Sequence, residues 1–90
     1  MSDNEQQSLI EYPCDFPIKA MGRADSNFVQ VVREIVTRHD PNIDETAIEV
    51  RSSRAGSYLS VTATIRATSR EQLDRLYQEL CDHPQVTLVL

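Results

Sequence analysis

The 90 residues are enough for one small domain. Hydrophobic residues make up 40% of the chain and charged residues 26%, as in an ordinary globular protein, and the formal net charge is −5. Residues 1–15 hold four acidic and no basic side chains. The rest of the chain is therefore close to neutral and lacks the positive field on which nucleic-acid binding depends, so we expect no nucleic-acid partner.

The chain begins with a polar, acidic segment that has nothing apolar to bury. We predict a disordered acidic tail over residues 1–8 and a single domain over residues 9–90. The start does not resemble a signal peptide, and no apolar run has the length of a membrane span. Cys14 and Cys81 are too few for a disulfide framework. These features predict a cytoplasmic protein with no membrane association.

The first predicted elements are a strand and a helix. Alternating side chains from Phe16 to Gly22 indicate a short strand that ends at the glycine. Asp25 and Ser26 are residue types that cap helix N-termini, and Pro41 stops the helix that follows. Its apolar face has three- and four-residue spacing and consists of Phe28, Val31, Val32 and Ile35.

Two further strands are predicted to form a hairpin. Thr46 to Ser52 is the second strand, with Ile48 and Val50 pointing inward, and Ser53 to Ser57 is the hairpin loop. The third strand, Tyr58 to Ala67, alternates apolar and polar residues along its whole length. Such alternation is typical of an antiparallel strand with one buried and one solvated face.

The chain ends with a second helix and a fourth strand. Thr68 and Glu71 have the spacing of a capping box. Pro84 ends the helix, and Val86 to Leu90 is the last strand. The apolar face of this helix again has helical spacing and consists of Leu73, Leu76, Tyr77 and Leu80.

The element order β-α-β-β-α-β predicts an α+β fold of the ferredoxin-like type. Right-handed crossovers place the four antiparallel strands in the order 4-1-3-2. Both helices must cover the same sheet face, because the apolar residues of the third strand need a partner. The opposite sheet face is then left open.

Four stretches of the sequence together resemble the YbeD-like family of small bacterial proteins of unassigned function. The resemblance covers about residues 9–90 and leaves out the acidic tail. The stretches are Tyr12 to Gly22 (YPCDFPIKAMG), Arg38 to Asp44 (RHDPNID), Ser52 to Val61 (SSRAGSYLSV) and Leu76 to Leu90 (LYQELCDHPQVTLVL).

The resemblance implies a ferredoxin-like fold similar to the ACT-type regulatory domains of amino-acid biosynthetic enzymes such as phosphoglycerate dehydrogenase. Some members are encoded beside lipoate-attachment enzymes, which implies a role near lipoyl metabolism. The family has no agreed catalytic residues, so the resemblance implies no catalytic residue in this chain.

The loop between the first strand and the first helix is the candidate ligand site. Backbone N–H groups and the helix dipole favour small anions at such a position, and ACT-type domains bind amino acids near it, often at a subunit interface. Arg23 and Asp25 could meet the two charges of an amino acid. The predicted ligand residues are Gly22, Arg23, Asp25 and Ser26; alternatively, they only turn the chain and cap the helix.

The open sheet face is the candidate surface for a partner protein. The residues predicted there are Lys19, Met21, Thr62, Thr64 and Arg66, together with Thr87 and Val89 of the last strand. Threonine on a solvated strand can also be only good strand chemistry.

No cofactor or metal is expected. His39, His83 and the two cysteines stand singly, without the spacing of metal ligands, and both histidines are expected at the surface. The leading hypothesis is a non-enzymatic module that senses an amino-acid-like ligand or binds a regulatory partner. The alternative is an assembly protein without a ligand, and a homodimer is left open. A small enzyme of unknown type and an RNA binder are remote alternatives. The phosphate cradle of acylphosphatase, which shares this fold, needs an arginine in a glycine-rich first loop, whereas the first loop here has one glycine and one arginine, with Asp25 opposing an anion. RNA binding is disfavoured because Tyr58 would be the one exposed aromatic on the central strands.

Overall fold

The structure, a computed structural model, describes residues 11–90, so the tail predicted over residues 1–8 lies outside the described residues. Within residues 11–90 the chain forms four strands, two α-helices and one 3-10 turn. In chain order these are β1 (Cys14–Arg23), α1 (Phe28–His39), the 3-10 turn (Glu45–Ala47), β2 (Ile48–Ser52), β3 (Tyr58–Ala67), α2 (Arg70–Asp82) and β4 (Leu88–Val89).

The sheet has the predicted ferredoxin-like topology. Its strands lie in the order β2-β3-β1-β4, which is 4-1-3-2 read from the other edge, and each neighbouring pair is antiparallel. Along β3, Val61, Ala63 and Ile65 are buried while the residues between them are half-buried or exposed. Both helices pack on the face that carries these three residues, so the predicted α+β class is confirmed.

The hydrophobic core lies between the helices and this sheet face. The predicted apolar faces of both helices are confirmed, since each contributes fully buried side chains. The core side chains from the helices are Phe28, Val31, Val32, Ile35 and Val36 of α1 and Leu73, Leu76 and Leu80 of α2. Tyr77 is only half-buried at its margin.

β1 is ten residues long and begins two residues before the predicted start. It contains Pro17, which has no N–H to donate. The carbonyl of Lys19 accepts from the Leu90 N–H (2.7 Å), so the backbone groups of Lys19 face β4. The backbone groups of successive residues point to opposite sides of a strand. Those of Pro17, two residues before Lys19, therefore also point away from β3, at a place beyond the end of β4. A proline at an open sheet edge leaves the β1–β3 ladder intact.

Both helix N-termini differ from the predicted caps. The N-cap of α1 is Asn27 and has no side-chain hydrogen bond. The N-cap of α2 is Ser69, one residue after the predicted Thr68, and its Oγ accepts from the Gln72 N–H (3.1 Å). In return, Gln72 Oε1 accepts from the Thr68 N–H (2.6 Å). The reciprocal capping therefore exists, but it uses a serine and a glutamine.

Asp40, at the end of α1, is a buried carboxylate with only 9% of its surface exposed. β2 stops pairing with β3 at Ala63, so the backbone of Arg66 has no strand partner on that side. Asp40 Oδ2 accepts from the Arg66 N–H (2.9 Å), and Gln72 Nε2 donates to the Arg66 carbonyl (3.3 Å). Side chains from both helix regions thus satisfy the backbone where the sheet narrows.

We predict that Leu76→Asp abolishes cooperative folding. Leu76 is completely buried, and an unpaired buried carboxylate costs several kcal/mol against a total stability of about 5–15 kcal/mol. Thermal and urea unfolding followed by circular dichroism would measure the loss. The matched control is Gln78→Asp on the exposed face of α2, which should unfold like the original chain. A cooperative Leu76→Asp transition near that of the original chain would contradict the assigned helix face.

We also predict that Asp40→Ala lowers the free energy of unfolding by about 1–3 kcal/mol, because it leaves the Arg66 N–H without its acceptor. Asp40→Asn keeps an acceptor oxygen and should recover part of the loss. Urea unfolding measures both values, with Asp82→Ala on the exposed end of α2 as control. Equal stabilities of the alanine and asparagine variants would show that this hydrogen bond contributes nothing.

Candidate functional site

Gly22, the first predicted ligand residue, is buried at the end of β1. A Cβ atom at this position would lie 2.3 Å from a ring carbon of Phe28 and 2.8 Å from the carbonyl oxygen of Gln85. The absence of a side chain therefore allows the first residue of α1 to pack directly on β1. This packing requirement accounts for a glycine here whether or not the loop binds a ligand.

Arg23 and Asp25 form a two-bond ion pair. Arg23 Nε lies 2.9 Å from Asp25 Oδ1, and Nη2 lies 3.0 Å from Oδ2, with side chains 62% and 70% exposed. The hydrogen bond and charge of Arg23 lower the pKa of the Asp25 carboxyl, and the same contacts raise the pKa of Arg23. The two charges compensate each other, so a zwitterionic ligand would have to exchange its own charges for this pair.

Ser26 links the loop to the start of α1. Its hydroxyl donates to the Arg23 carbonyl (2.7 Å) and accepts from the Phe28 N–H (3.3 Å). The Ala24 N–H donates to the carbonyl of Ser57 (2.9 Å), which ties the loop to the β2–β3 hairpin. The four predicted ligand residues thus form one compact turn whose own groups hold several of its polar atoms.

The open sheet face carries all five predicted partner-surface residues. Lys19 lies opposite Thr62, and Arg66 lies opposite Asp15. Arg66 Nη1 is 3.2 Å from Asp15 Oδ1, so the arginine has an ion-pair partner on the same face. The remaining members, Met21 and Thr64, alternate with buried residues of β1 and β3.

The prediction for the last strand is wrong by one residue. Val89 lies opposite the buried Ala20 and so faces the helices, and Thr87 precedes the strand. Leu88 takes the predicted place, opposite Met21 and 47% exposed. Leu90, 60% exposed, follows opposite Lys19. The alternation in this short, almost wholly apolar segment did not reveal which residues face the solvent.

We call Met21, Leu88 and Leu90 the apolar strip. Met21 lies on β1, Leu88 lies opposite it on β4, and Leu90 follows β4 beside Lys19. Lys19 has no carboxylate within ion-pair distance among residues 11–90, whereas Arg66 is paired. The strip therefore combines two exposed leucines with one uncompensated positive charge.

A polar cluster joins the C-terminal ends of the two helices. Glu79 contacts Arg38 Nη2 through Oε2 (2.5 Å) and His39 Nε2 through Oε1 (2.7 Å). Burial raises the pKa of the Glu79 carboxyl, but hydrogen bonds and charge from Arg38 and His39 outweigh it and leave this pKa lowered. The side chain of His39 is only 14% exposed, so its predicted surface position is wrong. Local sequence could not show a contact across 40 residues.

The cluster borders a shallow depression of about 260 Å³ that includes Asp82 and His83. Within residues 11–90, no group of three His, Cys, Asp or Glu side chains is arranged to hold a metal ion. Cys14 is half-buried and Cys81 exposed, and both are free thiols. Among the helices of the described range, none is long and apolar enough to cross a membrane.

Comparison with known proteins identifies the family but no activity. Residues 7–90 match the family model described as "Protein of unknown function (DUF493)". The chain is 61% identical over 85 residues to a UPF0250 protein of Nitrosomonas europaea, covering 94% of this chain and 98% of that protein. It is 53% identical over 85 residues to a UPF0250 protein of Bordetella pertussis, covering 94% of this chain and 93% of that protein.

The fold is also similar to a solved structure. The solution structure of protein HP0495 from H. pylori superposes with a TM-score of 0.67 at 13% identity, covering 90% of this chain and 85% of that one. At this identity the similarity concerns the fold alone. The sequence matches confirm the YbeD-like resemblance, and the chain belongs to the DUF493 family of proteins of unknown function.

Proposed function

We propose that this chain is a non-enzymatic regulatory module that binds a partner protein on its open sheet face. The observation that carries the proposal is the apolar strip, where Leu88 and Leu90 are 47% and 60% exposed on a sheet face that the two helices leave uncovered. Contiguous apolar surface that stays exposed often marks a protein contact site.

The charges near the strip indicate the chemistry of the partner. Lys19 has no carboxylate within ion-pair distance among the described residues, while Arg66 and Arg51 each have one on the same face. A partner with a carboxylate flanked by apolar side chains would pair with Lys19 and cover the leucines. Thr62 lies opposite Lys19 and supplies a hydroxyl beside the ion pair. Electrostatic matching of this kind gives specificity more than affinity.

A second candidate function is ACT-like sensing of an amino-acid-like ligand at the Gly22–Ser26 loop. It is supported by the exposed pair of opposite charges, Arg23 and Asp25, immediately before α1. The carboxylate and ammonium of an amino acid could replace the partners of this pair. Lipoyl-related acids belong in the same test, because the YbeD-like resemblance implies a role near lipoyl metabolism.

The partner proposal predicts that Leu88→Arg weakens binding without destabilising the domain. The side chain is already half-exposed, whereas a truncated or reversed contact at an interface centre costs about 2 kcal/mol or more, or about thirtyfold in affinity. A partner captured with the original chain would be purified and titrated by calorimetry. The control is Gln78→Arg, the same introduced charge on the exposed face of α2.

Binding that is equally strong for Leu88→Arg and Gln78→Arg would exclude the apolar strip as the contact. Thermal unfolding of both variants would verify that the domain is intact. A fall in affinity with Lys19→Glu, reversed by an acidic-to-basic change in the partner, would support the proposed ion pair.

The sensing proposal predicts that millimolar amino acids or lipoyl-related acids shift the amide resonances of Arg23 to Phe28. Arg23→Gln breaks the ion pair with Asp25 and removes the cation, so these shifts should disappear. Two-dimensional NMR titration measures the effect, and Arg75→Gln on α2 is the control. Unmoved loop amides with every compound, combined with partner-induced shifts at Thr62, Thr64 and Arg66, would leave protein binding as the function.

A further inference from the structure

The outer edge of β2 is an unpaired strand edge. Ser53 donates its N–H to the Tyr58 carbonyl (2.8 Å), so its backbone groups face β3. The backbone N–H and C=O groups of successive residues point to opposite sides of a strand. Those of Glu49 and Arg51 therefore also bond to β3, while those of Ile48, Val50 and Ser52 point to the outer edge. The Ile48 N–H donates to the Glu45 carbonyl. The backbone N–H and C=O groups of Val50 and Ser52, and the carbonyl of Ile48, remain available to bond a further strand.

This edge lacks part of the usual protection of a sheet edge. Natural edge strands are kept very short or carry proline, charged side chains such as lysine, bulges or inward-pointing charges. β2 is five residues long, and its two charged side chains, Glu49 and Arg51, point to the open face and not into the core. Residues 48–52 contain no proline or lysine, and their pairing with β3 is continuous. The opposite side of the sheet differs, because Pro17 faces outward there. β2 is therefore open to pairing with another strand.

We propose that a second copy of this chain pairs with β2, antiparallel and about a two-fold axis at Val50. Val50 then lies opposite Val50 of the second copy, and the two residues exchange both N–H···O=C bonds. On either side, the Ser52 N–H of one copy donates to the Ile48 carbonyl of the other. This interface is self-complementary, as a two-fold dimer requires.

The charges on β2 select this register. With Val50 at the axis, Glu49 lies opposite Arg51 of the second copy, and the contact occurs twice. An axis at residue 49 would place Glu49 opposite Glu49 of the second copy. An axis at residue 51 would place Arg51 opposite Arg51 of the second copy. Opposite charges directly across a strand pair stabilise it and like charges destabilise it. Only the register at Val50 matches the charges on both sides.

The side chains around the axis also fit a second copy. Glu49 and Arg51 point to the open face, opposite Thr62 and Ser60. They already form an ion pair within one strand (3.4 Å), so the dimer would bring two such pairs together in alternation. Val50 lies opposite the buried Val61 but is itself 41% exposed. Contact between the Val50 side chains of the two copies would continue the hydrophobic core past the part of the sheet that the helices cover.

The pairing would join two four-stranded sheets into one. Its axis is perpendicular to the sheet, so the two open faces would lie on the same side. The contact is short, and interfaces well below about 1,200 Å² are weak and transient. We therefore expect association at high micromolar concentrations. The pairing uses the strand edge and leaves the apolar strip exposed, so it is independent of partner binding on the open face.

The test is sedimentation equilibrium of the full chain from about 10 μM to about 1 mM, the range of weak association. We expect a reversible dimer. Glu49→Arg should raise its dissociation constant by about tenfold or more, since like charges then face each other. The double variant Glu49→Arg with Arg51→Glu should restore the original value within about threefold, because the pairing is again opposite in sign. Glu71→Arg on α2 is the control for net charge.

Val50→Pro provides an independent test. The Val50 N–H faces outward, so the substitution should leave each domain folded, as circular dichroism would verify, while removing the central bonds. A monomer with Val50→Pro supports the pairing. A monomeric original chain at about 1 mM, a dimer unaffected by Val50→Pro, or a charge swap that fails to restore association would each overturn it.

Discussion

Both helices are tied to the sheet at the backbone of Arg66, in the stretch of β3 that β2 does not reach. Its N–H is bound by the carboxylate of Asp40 and its carbonyl by the amide of Gln72. Gln72 Nε2 also donates to the carbonyl of His39, so the end of α1, the start of α2 and β3 meet at one point. Two side chains thereby replace the strand that would otherwise complete the sheet, and the core packs beneath them.

The sequence was sufficient for features that depend on local periodicity. The alternation along β3 and the spacing of Leu73, Leu76 and Leu80 each span several repeats, so errors of one residue do not change the face. It was insufficient where the pattern is short or the partner is distant. Residues 86–90 are almost all apolar, so their orientation is decided by hydrogen bonds to β1. The half-buried position of His39 and its contact with Glu79, 40 residues away, are not indicated by any local pattern.

The candidate sites show the same division. Sequence reasoning placed the loop at Gly22 to Ser26 and the five polar or mixed residues of the open face, because both follow from the topology. It did not reveal that Arg23 and Asp25 bind each other or that Leu88 replaces Val89 beside Met21. Those facts depend on side-chain geometry and strand register, which no local pattern of residues contains.

Pro17 has a consequence for how large an assembly can become. A molecule with two adhesive edges can add copies indefinitely, which is the route to fibres. Here the edge opposite β2 consists of the two-residue β4 and, beyond its end, the part of β1 where Pro17 lacks a donor, and the pairing inferred at β2 uses the other edge in a self-complementary way. Each molecule then has a valence of one, so growth terminates at two copies. A two-residue strand and one imino acid would thus separate controlled assembly from open-ended polymerisation in a concentrated solution.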